Sequence, residues 1–405
     1  MEFGPIFRSL LRNRARVILI VAEVALTLAI VANCLSLIMD TRTKLARESG
    51  FDEEHIAVIH TNPFDDHLRQ QTVLDQLVDQ DRRTLRALPG VRAVSNTSLR
   101  PWQRSGNITS VRIPGTHDEP VSTQVCSADP GVFETLGIAI TEGRGFTEAE
   151  YDHGADAPPT EVLPVVVSRA LANRFYPSGG AVGKQIGDAD ESQRYLIVGI
   201  VDRFYNPFGG SGNDERIIFM PARSVGFDRG AQYLVRTAGD PARLLPQIEK
   251  ALLGVEKGRF VRTRTMVEDR TEFHGRDRIL VASLNTVMAL LVLVTALGIV
   301  GLTSFSVSER RRQIGTRRAL GADRAAIVRH FLLENWMVTS FGILLGAGLA
   351  YALNFGIVTW VAGARLSPAV VAAGAVGLWI IGVGAALGPA LRGAQVPPAI
   401  ATRNV

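Results

Sequence analysis

The residues whose types and spacing come closest to specifying a task run Ser308-Glu309-Arg310-Arg311-Arg312-Gln313-Ile314-Gly315-Thr316-Arg317-Arg318-Ala319-Leu320-Gly321-Ala322. Arginines in such density hold anionic lipid headgroups and fix orientation across a bilayer. That electrostatic task accounts for the arginines. It does not account for Ile314, Ala319 and Leu320, or for the closing Gly321. A short helix with an apolar stripe and a glycine cap is expected to dock in a groove of a protein partner. A second candidate is Glu23, inside the apolar run 17–39 and about 7 Å from its midpoint by helical rise. An intramembrane carboxylate is costly. It marks either a functional group or an interhelical glutamate that is hydrogen-bonded or protonated, and the sequence leaves both readings open.

Nothing else spells out chemistry. The sequence has no GxxxxGK[ST] phosphate loop, no HExxH and no GxSxG. Its seven histidines are scattered, and the tightest group, His60 with Asp65-Asp66-His67, lacks metal-ligand spacing and reads as a solvated loop. Cys34 and Cys126 imply no disulfide framework and read as two buried thiols. No catalytic residue, bound cofactor or metal site is predicted for this chain.

These candidates must be positioned by membrane-spanning helices. Residues 17–39 form a 23-residue apolar run, long enough to cross a hydrocarbon core of about 30 Å. It is too long for a signal-peptide core and no small-residue cleavage site follows it, so it reads as an uncleaved anchor. Further runs at 279–305, 332–360 and 368–389 give four predicted spans. The predicted order is a segment 1–16, span 1, an insert 40–278, span 2, a loop 306–331, spans 3 and 4, and a tail 390–405. Small residues recur at four-residue spacing, as in Gly342, Gly346 and Ala350, and in Gly384 with Gly388. Such rows let helix backbones approach closely in lipid.

The insert reads as mixed α/β. Short strands at 55–60, 91–99, 232–236 and 259–266 bracket helical patterns at 71–87 and 241–253. Two separated β-α-β units imply a split subdomain built from both ends of the insert. Between them, at about 105–220, VLPVVVS, RYLIVGIVD and RIIFMP read as strands of an inserted β-rich subdomain. Residues 40–50 and 262–278 are expected to prolong spans 1 and 2 as a stalk.

Charge orients the whole. The net charge is +5, with 46% hydrophobic and 20% charged residues, which excludes a disordered chain, a collagen and a small disulfide scaffold. Outside 41–278 there are 14 basic and 6 acidic residues, giving +8, whereas the insert has 30 basic and 33 acidic, giving −3. Arginines cluster before span 1 and between spans 2 and 3, so both termini and the 306–331 loop are expected in the cytoplasm, with the insert on the far face. The arginines flank spans and do not interleave with aromatics in a basic stripe, which argues against nucleic acid as a partner.

The segment 308–322 resembles the E-R-x-x-E-I-G-x-x-[KR]-A-[LI]-G-A signature of FtsX/MacB-like ABC transporter permeases. Glu309, Arg310, Ile314, Gly315, Arg318, Ala319, Leu320, Gly321 and Ala322 match, and Gln313 replaces the usual second glutamate. Gly50-Phe51-Asp52 is similar to the start of the family's periplasmic domain. DPGVFETLGIAITEGRGF (129–146), VVVSRALANRF with Gly183-Lys184, and YLIVGIVD (195–202) are similar to successive elements of MacB-like domains. Pro389, Ala390, Arg392, Ala394, Pro398 and Arg403 are similar to the family's closing motif.

The resemblance covers nearly the whole chain. It implies an inner-membrane permease subunit with a periplasmic domain, a second permease subunit as homodimer or heterodimer, and a cytoplasmic ATPase that supplies ATP and Mg. The segment beginning at Glu309 is then the coupling helix that docks on the ATPase. The short stretch before span 1 leads to the expectation of a separate ATPase polypeptide. The family's mode of work is mechanotransmission, and efflux or export through a periplasmic adaptor and outer-membrane channel is the expected outcome. Lipoprotein release, control of an envelope enzyme, and a scaffold without transport coupling are the alternatives.

Overall fold

The structure is a computed structural model that describes residues 14–99, 101–103, 107–151, 162–190, 192–205, 207, 215–223, 226–227, 230–361 and 365–396. Expectations placed on Arg8, Arg12, Pro398 and Arg403 lie outside the described residues. Two compact units are present: Arg47–Gly275, and Met1–Ala46 together with Arg276–Val405.

The elements follow in this order. Helix α1 (Arg14–Leu45) precedes β1 (Ile56–Pro63), α2 (Gln71–Arg86) and β2 (Val91–Asn96). Next come β3 (Asn107–Arg112), β4 (Val121–Ala128), α3 (Val132–Leu136), β5 (Ile140–Gly143), β6 (Val162–Ser168) and α4 (Arg169–Phe175). Strands β7 (Gln185–Asp188), β8 (Arg194–Val201), β9 (Ile217–Pro221), β10 (Gly226–Phe227) and β11 (Gly230–Thr237) follow. Then come α5 (Leu245–Val255), β12 (Arg259–Thr265) and α6 (Met266–Phe273). Helices α7 (Gly275–Glu309), α8 (Arg311–Ala319), α9 (Arg324–Val361) and α10 (Pro368–Ala394) complete the chain.

The 47–275 unit holds two sheets. The first runs β10-β11-β1-β12 with β2 also on β11, so strands from both ends of the insert share one sheet. Val58 faces Leu234 on one side and Arg264 on the other, both antiparallel. The second sheet runs β5-β8-β6-β9-β4-β3-β7, with β4–β9 and β6–β8 parallel. The mixed α/β fold with a split subdomain and an inserted β-rich one is therefore present.

Alternation along β1 divides the core. Successive strand residues point to opposite faces. Ala57 and Ile59 meet Leu74, Val78 and Leu85 of α2 and Ile248 and Leu252 of α5. Ile56 and Val58 turn the other way, into a core shared with Cys126, Val166 and Phe219 of the second sheet. Beyond that sheet Val165, Val167 and Ile197 pack against Leu171 of α4. In the middle of the apolar stripe of α2 sits Asp81, fully buried. Its carboxylate accepts from Arg259 Nη2 at 2.7 Å and from the Tyr233 hydroxyl at 2.8 Å, and Arg259 Nη1 meets its other oxygen. Arg259 Nη2 also donates to the Leu252 carbonyl at 2.7 Å. One ion pair thus ties α2, α5, β11 and β12.

The expected second stalk differs. Helix α1 continues to Leu45, and α7 prolongs span 2 outward only from Gly275; residues 262–265 belong to β12 and 266–273 to the separate helix α6. Strand β12 pairs with β1 through Thr265, whose side chain then starts α6 in a capping box with Glu268. The sheet and the cap satisfy backbone groups that a continuous helix would otherwise claim.

In the other unit, four helices among the described residues are long and apolar enough to cross a membrane: Val17–Leu45, Gly275–Glu309, Arg324–Gly356 and Pro368–Ala394. The row Gly342, Gly346, Ala350 is the surface on which α1 lies. A Cβ on Gly342 would stand 2.7 Å from the Val24 side chain, and one on Gly346 2.8 Å from the Ala25 carbonyl oxygen. The second row behaves differently, since a Cβ on Gly384 or Gly388 meets nothing within 4 Å among the described residues. Buried amides add to the packing. Asn33 Nδ2 donates to the Ala350 carbonyl at 3.0 Å, and Asn354 Nδ2 to Asn33 Oδ1 at 3.2 Å. Helix α7 is the barest span, with Thr295 and Ile299 as its buried residues.

Candidate functional site

The segment singled out in the sequence becomes α8 and its flanks. Three contacts seat it on its own chain. Ile314, 5% exposed, packs with Ile327 and Phe331 of α9 and with Ala390, Ala394 and Val396 at the end of α10. Arg318 Nη1 donates to the carbonyls of Ala394 (3.2 Å) and Val396 (3.0 Å). The last carbonyls of a helix lack intrahelical donors and favour a nearby cation. Arg310 makes a bidentate pair with Glu334, at 3.0 and 3.2 Å.

The helix ends in a Schellman turn. The Ala322 N–H donates to the Arg317 carbonyl at 3.0 Å and the Gly321 N–H to that of Arg318 at 3.1 Å. Gly321 has φ +94°, a conformation that a side chain disfavours. Beyond this turn α9 begins.

Residues expected to form one apolar stripe are divided between two faces. Ile314 and Gly315 are buried, whereas Ala319 and Leu320 are exposed, Leu320 to 83%. The reason is geometric. Five and six residues on a helix of 3.6 per turn correspond to about 140° and 240° of rotation, so these side chains do not share a face. Glu309, Arg311, Arg312, Gln313, Thr316 and Arg317 are exposed with Leu320, and Ala322 is half-buried. The outward surface of α8 is therefore a cationic collar around one protruding leucine.

Glu23 lies where α1 meets α7. A Cβ on Gly298 would come within 2.5 Å of its Oε2, and the Thr27 and Thr295 hydroxyls, one turn along each helix, are 2.8 Å apart. The other polar group is turn chemistry: Asp65 accepts from the His67 N–H at 2.9 Å, and His60 Nε2 pairs with Gln103 Nε2 at 3.0 Å. Among the described residues no three His, Cys, Asp or Glu side chains gather to hold a metal.

The chain enters the insert at Arg47 and leaves it at Gly275, and the two ends are clasped. Arg270 of α6 pairs with Glu53 at 2.7 Å, donates to the Arg47 carbonyl at 2.8 Å, and lies 4.7 Å from the Trp102 ring centroid. The motif Gly50-Phe51-Asp52 sits within this region. Gly50 has φ +84° and a Cβ there would stand 2.4 Å from the Arg203 carbonyl oxygen. Phe51 stacks on Phe204 at 5.5 Å. Burial raises the Asp52 pKa, but His55 and Arg236 beside it outweigh that and hold it below the usual carboxylate range.

Several participants were not anticipated. Glu334 and Asn335 lie within the apolar run 332–360; Glu334 anchors Arg310 and Asn335 Nδ2 donates to the Gly382 carbonyl at 2.9 Å. A carboxylate and an amide in an apolar run were the available signal.

Comparison with known proteins agrees with this organisation. Residues 18–252 match the family described as MacB-like periplasmic core domain, and residues 285–398 that described as FtsX-like permease C-terminal. Over 300 residues the chain is 25% identical to the macrolide export ATP-binding/permease protein MacB of Hahella chejuensis, covering 70% of this chain and 41% of that protein. It is 23% identical over 303 residues to the uncharacterized ABC transporter permease YknZ of Bacillus subtilis, covering 71% of each. The crystal structure of the periplasmic region of MacB from Actinobacillus actinomycetemcomitans covers 57% of this chain and 98% of its own at 12% identity and a TM-score of 0.37. The chain spans about two fifths of the length of the MacB relatives it matches.

Proposed function

The chain belongs to the FtsX/MacB-like ABC transporter permease family, and from that premise we propose that it couples a separate cytoplasmic ATPase to movement of its periplasmic domain. It is a membrane protein with a periplasmic MacB-type domain. The observation that carries the coupling reading is the exposure of Leu320 on a helix whose other face is locked to α9 and α10. Force applied at that leucine and its arginine collar passes through Ile314, Arg318 and Arg310 into two spans at once.

ATP and Mg belong to the partner in this reading, and this chain binds neither. The spans lie in the bacterial inner membrane with both termini cytoplasmic. A second permease subunit covers the bare side of α7. The Arg270 clasp joins the two ends of the periplasmic domain, so motion delivered at either is shared by both. Export across the envelope is the proposed outcome, with an adaptor and outer-membrane channel as further partners; the MacB relative is named for macrolide export.

The test is co-purification of an ABC ATPase with the full chain from native membranes, read by mass spectrometry. Leu320→Asp and Glu309→Lys are expected to remove the ATPase while leaving the chain folded and inserted. Unchanged co-purification would favour a membrane-anchored scaffold without transport coupling.

A further inference from the structure

An open groove of about 650 Å³ runs between the first turns of α9 and the last turns of α10. Arg324 and Arg329 line one end, and Leu332, Trp336, Val383 and Leu391 line the rest. Its polarity is lengthwise. Arg324 to Trp336 is twelve residues of helix, about 18 Å of rise, close to one leaflet of a hydrocarbon core of about 30 Å. Both arginines are exposed, and Trp336 is 42% exposed towards the surface. Arginine at the headgroup level is a placement a bilayer favours, and the apolar residues that follow reach into the leaflet. Among the described residues no acidic side chain lines the groove.

We propose that this groove is a binding site for one anionic phospholipid of the leaflet facing α8. Its phosphate meets Arg324 and Arg329, and an acyl chain lies along Leu332, Trp336 and Val383. Charge complementarity selects this occupant: basic pockets between spans retain anionic headgroups, and the apolar length beyond them matches an acyl chain. The lipid then lies beside the seat of α8, since Ala394 belongs both to the groove and to the cluster around Ile314. The proposal rests on the permease reading only in requiring that these helices span a bilayer.

The experiment uses the full chain, purified and delipidated in detergent, with phosphatidylglycerol or phosphatidylcholine added back and retention read by native mass spectrometry. Two basic contacts predict roughly thirty-fold preference for phosphatidylglycerol. Arg324→Gln with Arg329→Gln is expected to abolish the preference. Val383→Trp, which fills the groove and keeps both arginines, is expected to abolish retention. Preference surviving the double substitution, or retention surviving Val383→Trp, would overturn the proposal. So would displacement of the lipid by inorganic phosphate, or loss of ATPase co-purification in the double variant with lipid retention intact. Flotation of the chain with phosphatidylcholine vesicles separates the two claims. Failure to float contradicts the spans, whereas floating without anionic preference contradicts only the lipid site.

Discussion

Replacing Ile314 by alanine should free α8 from its seat while leaving the spans folded. The side chain is 5% exposed and surrounded by Ile327, Phe331, Ala390, Ala394 and Val396. Removing its outer carbons costs about 2 kcal/mol or more, from lost burial and the cavity left behind. Arg318 and Arg310 keep their hydrogen bonds, so the loss falls on the closed position of α8 and not on the fold. A change of 2 kcal/mol shifts the opening equilibrium about thirty-fold. Amide hydrogen exchange across 311–319 reads it directly, because local opening sets protection there. Leu320→Ala is the internal contrast: a side chain 83% exposed should change the same protection by less than about 0.5 kcal/mol, roughly two-fold. Equal effects of the two substitutions, or none from Ile314→Ala, would refute the assignment of an inner and an outer face.

Three further outcomes follow from the structure. Asp81→Ala leaves the Arg259 guanidinium buried without its carboxylate and should cost about 3–5 kcal/mol, seen as a lowered thermal midpoint; a cost under about 1 kcal/mol would contradict the pairing. Arg144 beside Glu150 pulls its carboxyl down to about 2, so the ionised pair favours folding above the unfolded carboxyl value of about 4.3 and loses that contribution as pH falls through about 2. The melting difference between the wild type and Glu150→Gln should accordingly be steady above about pH 5 and shrink towards pH 2. Gly346→Val forces a side chain against the Ala25 backbone and should cost about 1–3 kcal/mol, lowering the yield of monodisperse protein, whereas Gly384→Val, with open space around it, should not.

The sequence made some of this visible because period and composition act locally. The stripe Leu74, Leu77, Leu85 defines α2, and the run VLPVVVS defines β6, without help from distant residues. Sheet membership at both ends of the insert was legible because two β-α-β patterns are separated by a stretch of different character. Pairings across long separations were not. Asp81 and Arg259 are 178 positions apart, and an acid within an apolar stripe gives no indication of which cation will meet it. Short polar strands such as β7 (QIGD) are specified by their neighbours β3 and β8 more than by their own residues. At α8 the residue types pointed to docking, but which side chain faces inward depends on where α10 ends, as the Arg318 bonds to Ala394 and Val396 show. Gly342 and Gly384 read alike as sequence, and only packing separates them.

The central claim, that the exposed face of α8 meets a cytoplasmic ATPase, is tested most directly by a photo-crosslinking residue placed at Leu320 in the full chain and activated in living cells. The account predicts a crosslinked product identified by mass spectrometry as an ABC ATPase, absent when the same residue replaces the buried Ile314. Crosslinks from Leu320 to lipid alone, or to no ATPase, would contradict it.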